Sequence, residues 1–175
     1  RWNRHSEELA DMAERSAVMA DYLGTASYNK AALTRAWKRT IAHHFHDDMP
    51  GTSCQRVYKR SWNDLFVSMN QFKNEMNSTL ASVTSIMKTD FCKGRAITVY
   101  NSVETKRKSA VVLRLDNFKS KYVRVFDENG NEAPAQIKCK KGNVAEIIFI
   151  ADMDALSLKV YDVREGDSPS DIKTS

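Results

Sequence analysis

The spacing of apolar residues along the chain changes near Asp90. Before this point, apolar side chains recur at intervals of three and four residues, which favours amphipathic helices. After it, β-branched residues alternate with polar residues in short runs, as in strands with one buried face. The sequence therefore predicts a helical part (residues 1–89), a β part (residues 90–163) and a polar tail (residues 164–175) that is expected to be disordered.

Three helices are predicted in the first part. Their expected bounds are Asn3 to Tyr22 or Leu23, Asn29 to His46, and Thr52 to Met87. Gly24 is suited to end the first helix, and Pro50-Gly51 breaks the chain before the third. Because a helix as long as the third is marginal without partners, we expect the two shorter helices to pack along it as an antiparallel three-helix bundle.

Apolar stripes on these helices predict the residues that face the bundle core. The stripes are Leu9, Met12, Ala13, Ser16, Met19, Ala20 and Leu23 on the first helix, Leu33, Trp37, Ile41 and Phe45 on the second, and Val57, Leu65, Met69, Phe72, Met76, Leu80, Val83 and Met87 on the third. The third stripe has the spacing of a coiled-coil-like seam.

Six strands are predicted in the second part. They are Ala96–Asn101, Ser109–Leu115, Tyr122–Asp127, Ala135–Cys139, Val144–Ile150 and Leu156–Val163. Turn residues at 127–130 and 141–143 separate some of these runs, which indicates an antiparallel β-sandwich, whole or incomplete. The predicted fold class is therefore α+β: a three-helix bundle followed by an antiparallel β-sandwich.

Composition excludes several classes of function. The 27 basic and 22 acidic residues are interspersed, so the net charge of +5 gives no basic stripe of the kind that binds nucleic acid. No apolar run approaches the length of a membrane span. The three cysteines lack the spacing of a disulfide framework or a zinc motif, and we expect buried free thiols. The chain opens at Arg1 without an initiator Met, so we expect an internal piece of a longer polypeptide, whose localisation stays unknown.

The segment from His43 to Ser53 concentrates the residues that could carry chemistry. Three imidazoles and two carboxylates lie within six residues at a predicted helix end. Imidazole and carboxylate are natural ligands for zinc and similar divalent ions, and a carboxylate can also orient an imidazole or a substrate hydroxyl. The spacing is not that of a self-contained metal site. The alternative is a solvated helix end whose acidic residues cap the following helix.

The same segment resembles a known enzyme family. Trp37-Lys38, six further residues and then the run FHDDMPGTS from Phe45 to Ser53 are similar to the middle-domain signature of the glycoside hydrolase family 38 α-mannosidases. In that family a His-Asp pair is followed, three residues on, by a Pro-Gly-Thr or Thr-Gly-Thr turn. Residues 97–102, 125–136 and 155–161 resemble strands of the β region that follows the family's three-helix bundle.

The resemblance implies roles for individual residues. It implies that His46 is a metal ligand and that Asp47 is an active-site neighbour, either supporting the metal ligands or touching the sugar. Gly51 and Thr52 would shape the turn that aims both. Asp48 falls where the family varies and is expected to be a surface or capping carboxylate.

The two other histidines of the segment do not match the family's metal ligand. His43 and His44 are therefore expected to be ordinary helix residues.

The resemblance also implies that most of the active site lies outside this chain. The family hydrolyses α-mannosidic bonds with retention and uses one divalent metal ion, usually zinc. Its other metal ligands, one His and two Asp, and its Asp nucleophile come from an upstream catalytic domain, and no residue here matches that nucleophile. We therefore expect this fragment to bind metal weakly and to be inactive alone, with an α-mannoside or a mannose-containing oligosaccharide as the substrate of the full-length enzyme.

Two other classes of function stay open from the sequence. The chain could be a non-catalytic carbohydrate- or protein-binding module, whose functional surface would lie on the β part. It could also be a structural protein whose long helix pairs with a partner chain. Trp37 and Trp62 could stack on a sugar, but aromatic residues on a helix stripe more often serve in packing.

Overall fold

The computed structural model describes residues 2–170 of the 175-residue chain. The chain divides into two compact units, Arg1–Met87 and Lys88–Ser175. This division lies two residues before the boundary that was predicted between residues 89 and 90. Residues 171–175 of the tail that was predicted to be disordered lie outside the described residues.

Three helices form the first unit: α1 (Trp2–Tyr22), α2 (Lys30–Ala42) and α3 (Gln55–Thr84). Asn29 caps α2, because its side-chain oxygen accepts the Ala32 N–H at 3.2 Å. The predicted end of α2 at His46 is wrong by four residues. The backbone N–H of His43 bonds to Thr40 O, and that of His44 bonds to Ile41 O, so the chain tightens into turns after Ala42.

The second helix runs antiparallel to the other two. The Ser6 hydroxyl near the start of α1 meets Thr40 near the end of α2 at 2.9 Å. The His43 imidazole after α2 lies 3.3 Å from Asp64 in the first part of α3. Thr79 near the end of α3 donates to Ser16 of α1 at 2.9 Å, whereas Phe66 contacts Trp2, so α1 and α3 are parallel. These pairings produce an antiparallel three-helix bundle.

Small residues rather than large ones form the core face of α1. The buried residues of this helix are Ser6, Ala10, Ala13, Ser16, Ala17 and Ala20. The predicted stripe was wrong at Met12 and Met19, which are half-buried, and at Leu23, which is exposed. Alanine and serine leave room for close approach of the helices, and the buried hydroxyls satisfy one another.

The stripes on the other two helices are also corrected in part. Ile41 and Phe45 are exposed, and Ala36 and Thr40 are buried in their place. Leu65, Met69, Phe72 and Val83 of α3 are buried as expected, but Val57 is exposed. The predicted seam of α3 therefore faces its own bundle over most of its length.

In the described part of the second unit, up to residue 170, the chain forms seven strands: β1 (Arg95–Asn101), β2 (Arg107–Leu115), β3 (Tyr122–Phe126), β4 (Glu132–Ala133), β5 (Ala135–Lys141), β6 (Val144–Met153) and β7 (Ser157–Gly166). They form one antiparallel sheet in the order β1-β7-β3-β4 and a second in the order β2-β6-β5. The rings of Phe149 from β6 and Tyr161 from β7 meet 5.1 Å apart, so the core lies between the two sheets. The predicted α+β fold class is confirmed.

The strand bounds differ from the prediction at both ends of β7. Leu156 has a left-handed backbone with φ of 48° and precedes the strand. At the other end β7 continues three residues past Val163, because Tyr122–Arg124 of β3 pair with Arg164–Gly166. Residues 164–166 therefore belong to the sheet rather than to a disordered tail.

Two further predictions concern the burial of the cysteines and the presence of a membrane-spanning segment. Cys54 and Cys139 are exposed and Cys92 is half-buried, so the expectation of buried thiols was wrong, although all three are free. Among residues 2–170, no helix combines the length and the apolar character that crossing a bilayer demands.

Candidate functional site

The segment that was singled out by its imidazoles and carboxylates forms a series of tight turns between α2 and α3. We refer to residues 43–54 as the interhelical turn. It includes Gly51, whose φ of +91° is costly for any residue with a Cβ, so the turn depends on glycine at this position. The segment was predicted to be a helix end, but it forms a loop with a helix on each side.

His46 and Asp47 project from the outer part of the interhelical turn. Their side chains are 78% and 52% exposed, and His46 Nε2 lies 3.6 Å from Asp47 Oδ2. The rings of Phe45 and His46 lie 4.1 Å apart, which restricts the orientation of the imidazole. Both polar side chains are thus open to a ligand or to another part of a larger protein.

The main chain at Asp47 is fixed by the residues that follow it. The Asp47 carbonyl accepts the backbone N–H groups of Thr52 at 3.2 Å and Ser53 at 3.1 Å. The Thr52 hydroxyl donates to the same carbonyl and to Asp47 Oδ1, both at 3.3 Å. The predicted role of Thr52 in shaping the turn has a direct geometric basis in these bonds.

Asp48 is not the surface or capping carboxylate that the sequence suggested. Its side chain is 11% exposed, and it accepts hydrogen bonds from the hydroxyls of Ser53 and Ser61, each at 3.0 Å. His43 Nδ1 lies 3.0 Å from Asp48 Oδ2. The bond from His43 holds the pKa of Asp48 below its ordinary value against the opposing effect of burial, and the two serine hydroxyls add to it.

His43 is likewise more than an ordinary helix residue. Its ring is 12% exposed and lies between two carboxylates, with Nδ1 at Asp48 and Nε2 3.3 Å from Asp64 Oδ2. Both ring nitrogens can donate at once only in the imidazolium form. Sequence reasoning missed this arrangement because its members are five and 21 residues apart, which no helical or strand period connects.

His44 points to another element. Its Nε2 lies 3.2 Å from Glu7 Oε1 of α1 without making a hydrogen bond, so the ring is in contact with the first helix. Asn3 of α1 also reaches the turn, with its amide donating to the His43 carbonyl at 3.2 Å. A cleft of about 160 Å³ opens beside these contacts, and Trp2, Trp62 and other residues of the first unit line it.

Trp37 and Trp62, the two tryptophans that could stack on a sugar, differ in their surroundings. Trp37 packs its ring 5.7 Å from that of Phe72 and donates its indole N–H to Glu14 at 2.7 Å, as a core residue does. Trp62 is exposed.

The donor set fits a partial metal site. His46 and Asp47 supply an exposed imidazole and a carboxylate, which suit zinc, whereas a structural or catalytic zinc site uses three or four protein ligands. Within residues 2–170, no group of three or more His, Cys, Asp or Glu side chains is arranged to hold a metal ion. The exposed pair could thus complete a site whose remaining ligands come from elsewhere.

Comparison with known proteins shows what the bundle is similar to. Residues 1–83 match the family model of the alpha mannosidase middle domain. This match includes all three helices except the last residue of α3, and it includes the whole interhelical turn. No curated protein matches the chain.

Solved structures extend the likeness to the second unit. An alpha-mannosidase from Enterococcus faecalis V583 superposes with a TM-score of 0.78 over 99% of this chain at 15% sequence identity. A protein of glycosyl hydrolase family 38 from Enterococcus faecalis gives the same TM-score, coverage and identity. The chain spans only 24% and 25% of the length of these two proteins. The resemblance to α-mannosidases is confirmed by sequence over residues 1–83, and the two solved structures show a similar fold over 99% of this chain.

Proposed function

Because residues 1–83 match the alpha mannosidase middle domain, we propose that this chain is a segment of a retaining, metal-dependent α-mannosidase. In this proposal His46 is one ligand of a divalent metal ion, with zinc as the expected ion. Asp47 lies beside the metal or the bound sugar. The catalytic nucleophile and the other ligands belong to an upstream catalytic domain of the longer protein, and the substrate is an α-mannoside.

One observation supports this assignment above the others. His46 and Asp47 are exposed at a turn whose main chain is fixed on both sides, within the segment that matches the family. An imidazole that was buried within its own bundle could not reach a metal ion held mostly by another domain. The open position of His46 meets this requirement.

The residues of this chain would bind and orient rather than break bonds. His46 would present one ring nitrogen to the ion, and the contact of its ring with Phe45 would limit its rotation. Asp47 would accept a hydrogen bond from a sugar hydroxyl, while Thr52 fixes its position. When bound, the metal ion would supply Lewis-acid stabilisation of the sugar hydroxyls during cleavage.

Asp48, the nearly buried carboxylate of the interhelical turn, is not placed to supply the chemistry of retention. A retaining glycosidase needs a nucleophile and an acid/base carboxyl about 5 Å apart on either side of the scissile bond. Asp48 is occupied by His43 and two serine hydroxyls, and its side chain is almost buried. Asp48 is therefore unsuited to act as that nucleophile.

The first experiment tests the chain by itself. The 175-residue chain is incubated with an activated aryl α-mannoside and zinc chloride, and release of the aryl alcohol is followed. The expected result is no turnover above a heat-denatured control. Turnover that disappears in a His46→Ala variant would contradict the proposal that essential catalytic groups lie outside this chain.

The second experiment tests the site in the longer protein. His46→Ala should lower kcat/KM for an aryl α-mannoside by at least about 100-fold, since removing even a residue that supports a metal ligand costs 10–100-fold. Asp47→Ala should give a smaller loss of about 10-fold. His5→Ala is the control, because His5 is an exposed imidazole on α1. Wild-type activity in both variants at positions 46 and 47 would remove the site assignment.

The competing hypothesis of a non-catalytic binding module makes a different prediction. It places the functional surface on the second unit and requires no metal, so His46→Ala would leave binding of a mannose-containing oligosaccharide unchanged. Isothermal titration of the chain with such an oligosaccharide, with and without EDTA, distinguishes the two hypotheses.

A further inference from the structure

We infer that Asp48 and His43 form a positioning pair that holds His46 and Asp47 in place. This inference rests on the proposed function, because it concerns the residues that would meet the metal ion and the sugar. The pair would explain how a loop with two exposed functional side chains keeps one conformation.

His43 and Asp48 lie at the two ends of the short segment that carries His46 and Asp47. His43 and Asp48 enclose the four residues of the interhelical turn that include His46 and Asp47, and their side chains meet at 3.0 Å. This contact closes the loop at its base. A contact between the two ends of so short a segment restricts the conformations of the residues between them.

Asp48 also joins three parts of the bundle. Its Oδ1 accepts from Ser53, which precedes α3, and its Oδ2 accepts from Ser61 within α3. His43, at the end of α2, then extends to Asp64 one turn further along α3. The end of α2, the interhelical turn and the first half of α3 are thus connected through one carboxylate.

Asp48 does not cap the helix that follows it. The N-cap residue of α3 is Cys54, and its side chain makes no capping bond. The acceptor capacity of Asp48 is directed to two hydroxyls and an imidazole instead of to the first backbone N–H groups of α3. A residue that acted only as a helix cap would show the opposite pattern.

The expected consequence concerns Asp47 directly. The backbone N–H groups of Thr52 and Ser53 bond to the Asp47 carbonyl, and Ser53 also bonds to Asp48 through its hydroxyl. Loss of the Asp48 carboxylate should therefore loosen these two amides more than it loosens the helices. His43→Gln should have the same effect to a smaller degree, because a glutamine amide retains one donor.

Hydrogen exchange of the 175-residue chain, followed by NMR, tests this inference. In Asp48→Ala the amides of Thr52 and Ser53 should exchange at least ten times faster than in the wild type, beyond any change in the amides of α1. Phe72→Leu is the matched control, since Phe72 is fully buried in the bundle core and is not one of the hydrogen-bond partners of Asp48. This variant should speed exchange across the bundle without a special effect at the two turn amides.

Two results would overturn the inference. One is rapid, unprotected exchange of both turn amides in the wild type. The other is an Asp48→Ala variant in which they change only in step with α1, as in Phe72→Leu. Asp48→Asn should restore part of the protection, because its carbonyl oxygen can still accept from one serine hydroxyl.

A second measurement links the positioning pair to the metal. Zinc chloride is added while the ring Cε1–H signal of His46 is followed, and Asp48→Ala should weaken the apparent zinc affinity at least threefold. The absence of a zinc response in the wild type would count against the proposed function and leave the exchange result unaffected. Equal zinc affinity in the two chains, together with a clear wild-type response, would overturn the positioning role.

Discussion

Asp162 gives the sharpest test of what holds the second unit together. Its side chain is fully buried in β7, yet it accepts the backbone N–H groups of Lys93 and Gly94, each at 2.8 Å, and the Nε–H of Arg164 at 2.7 Å. Burial raises the pKa of this carboxyl, but these three donors more than offset it, and the pKa lies below its ordinary value. The carboxylate therefore ties the segment before β1 to the strand with which β1 pairs.

Removal of this carboxylate should be costly. Asp162→Ala leaves two backbone donors and one guanidinium group without their acceptor, and loss of one partner of a buried charged pair costs about 3–5 kcal/mol. This is a large part of the total stability of about 5–10 kcal/mol that is typical of a small domain. With a urea m-value of about 1 kcal/mol per M, the unfolding midpoint of the second unit should fall by about 3–5 M.

The assay must distinguish the two units. All three tryptophans lie in the first unit, so tryptophan fluorescence reports on the bundle, and hydrogen exchange of β1 and β7 amides reports on the second unit. Asp116→Ala is the control, because Asp116 is an exposed carboxylate whose partner Arg114 is equally exposed, and it should change stability by less than about 0.5 kcal/mol. If Asp162→Ala is too unstable to study, Asp162→Asn should lose about 2 kcal/mol, since one carboxamide oxygen can still accept. A loss below 1 kcal/mol in Asp162→Ala would refute this reasoning.

Three further predictions concern the acid unfolding of the second unit and the two glycines Gly94 and Gly51. Because the pKa of Asp162 is lowered on folding, its contribution is present above the ordinary value of 3.8 and is lost as the pH falls through the folded value; the acid unfolding of Asp162→Asn, followed by circular dichroism, should be less steep below pH 4 than that of the wild type. Gly94→Ala should destabilise the second unit by at least about 2 kcal/mol in urea, since its Cβ would come closer than 3.0 Å to the Val163 carbonyl oxygen; wild-type stability would contradict this packing. Gly51→Ala should cost the bundle about 1–2 kcal/mol in thermal unfolding, because φ there is +91° and no steric contact is added, whereas an unchanged melting temperature would show that the turn relaxes freely.

The sequence predicted the elements better than it predicted their faces. Helix and strand periods gave three helices and six of the seven strands, and they missed only β4, which has two residues. The core face of α1 was displaced because long apolar residues such as Met12 and Met19 dominate a hydrophobic pattern. Ala10 and Ala17 carry little hydrophobic signal, but their small size decides which face can approach another helix.

The candidate site shows the same limit. His46 and Asp47 were found because their order along the chain resembles a family signature, which is local information. Asp48 was assigned to the surface because its partners depend on where α2 ends and on how α3 packs against it. Asp162 was placed in a predicted strand, but the donors that justify its burial are 68 and 69 residues away. Tertiary pairing of polar groups cannot be read from the spacing of residues along the chain.

The contrast between His43 and His46 explains how one short loop can serve two requirements. A side chain that completes a site in another part of a protein must be exposed in its own unit, and exposed side chains on loops are ordinarily mobile. In the interhelical turn the exposed imidazole of His46 stands three positions after the nearly buried imidazole of His43, which lies between two carboxylates. The buried histidine restricts the backbone on which the exposed one stands. In the proposed function, this restriction would keep the exposed imidazole in the geometry that a shared metal site needs, because a ligand displaced by even 1 Å costs a large part of the rate.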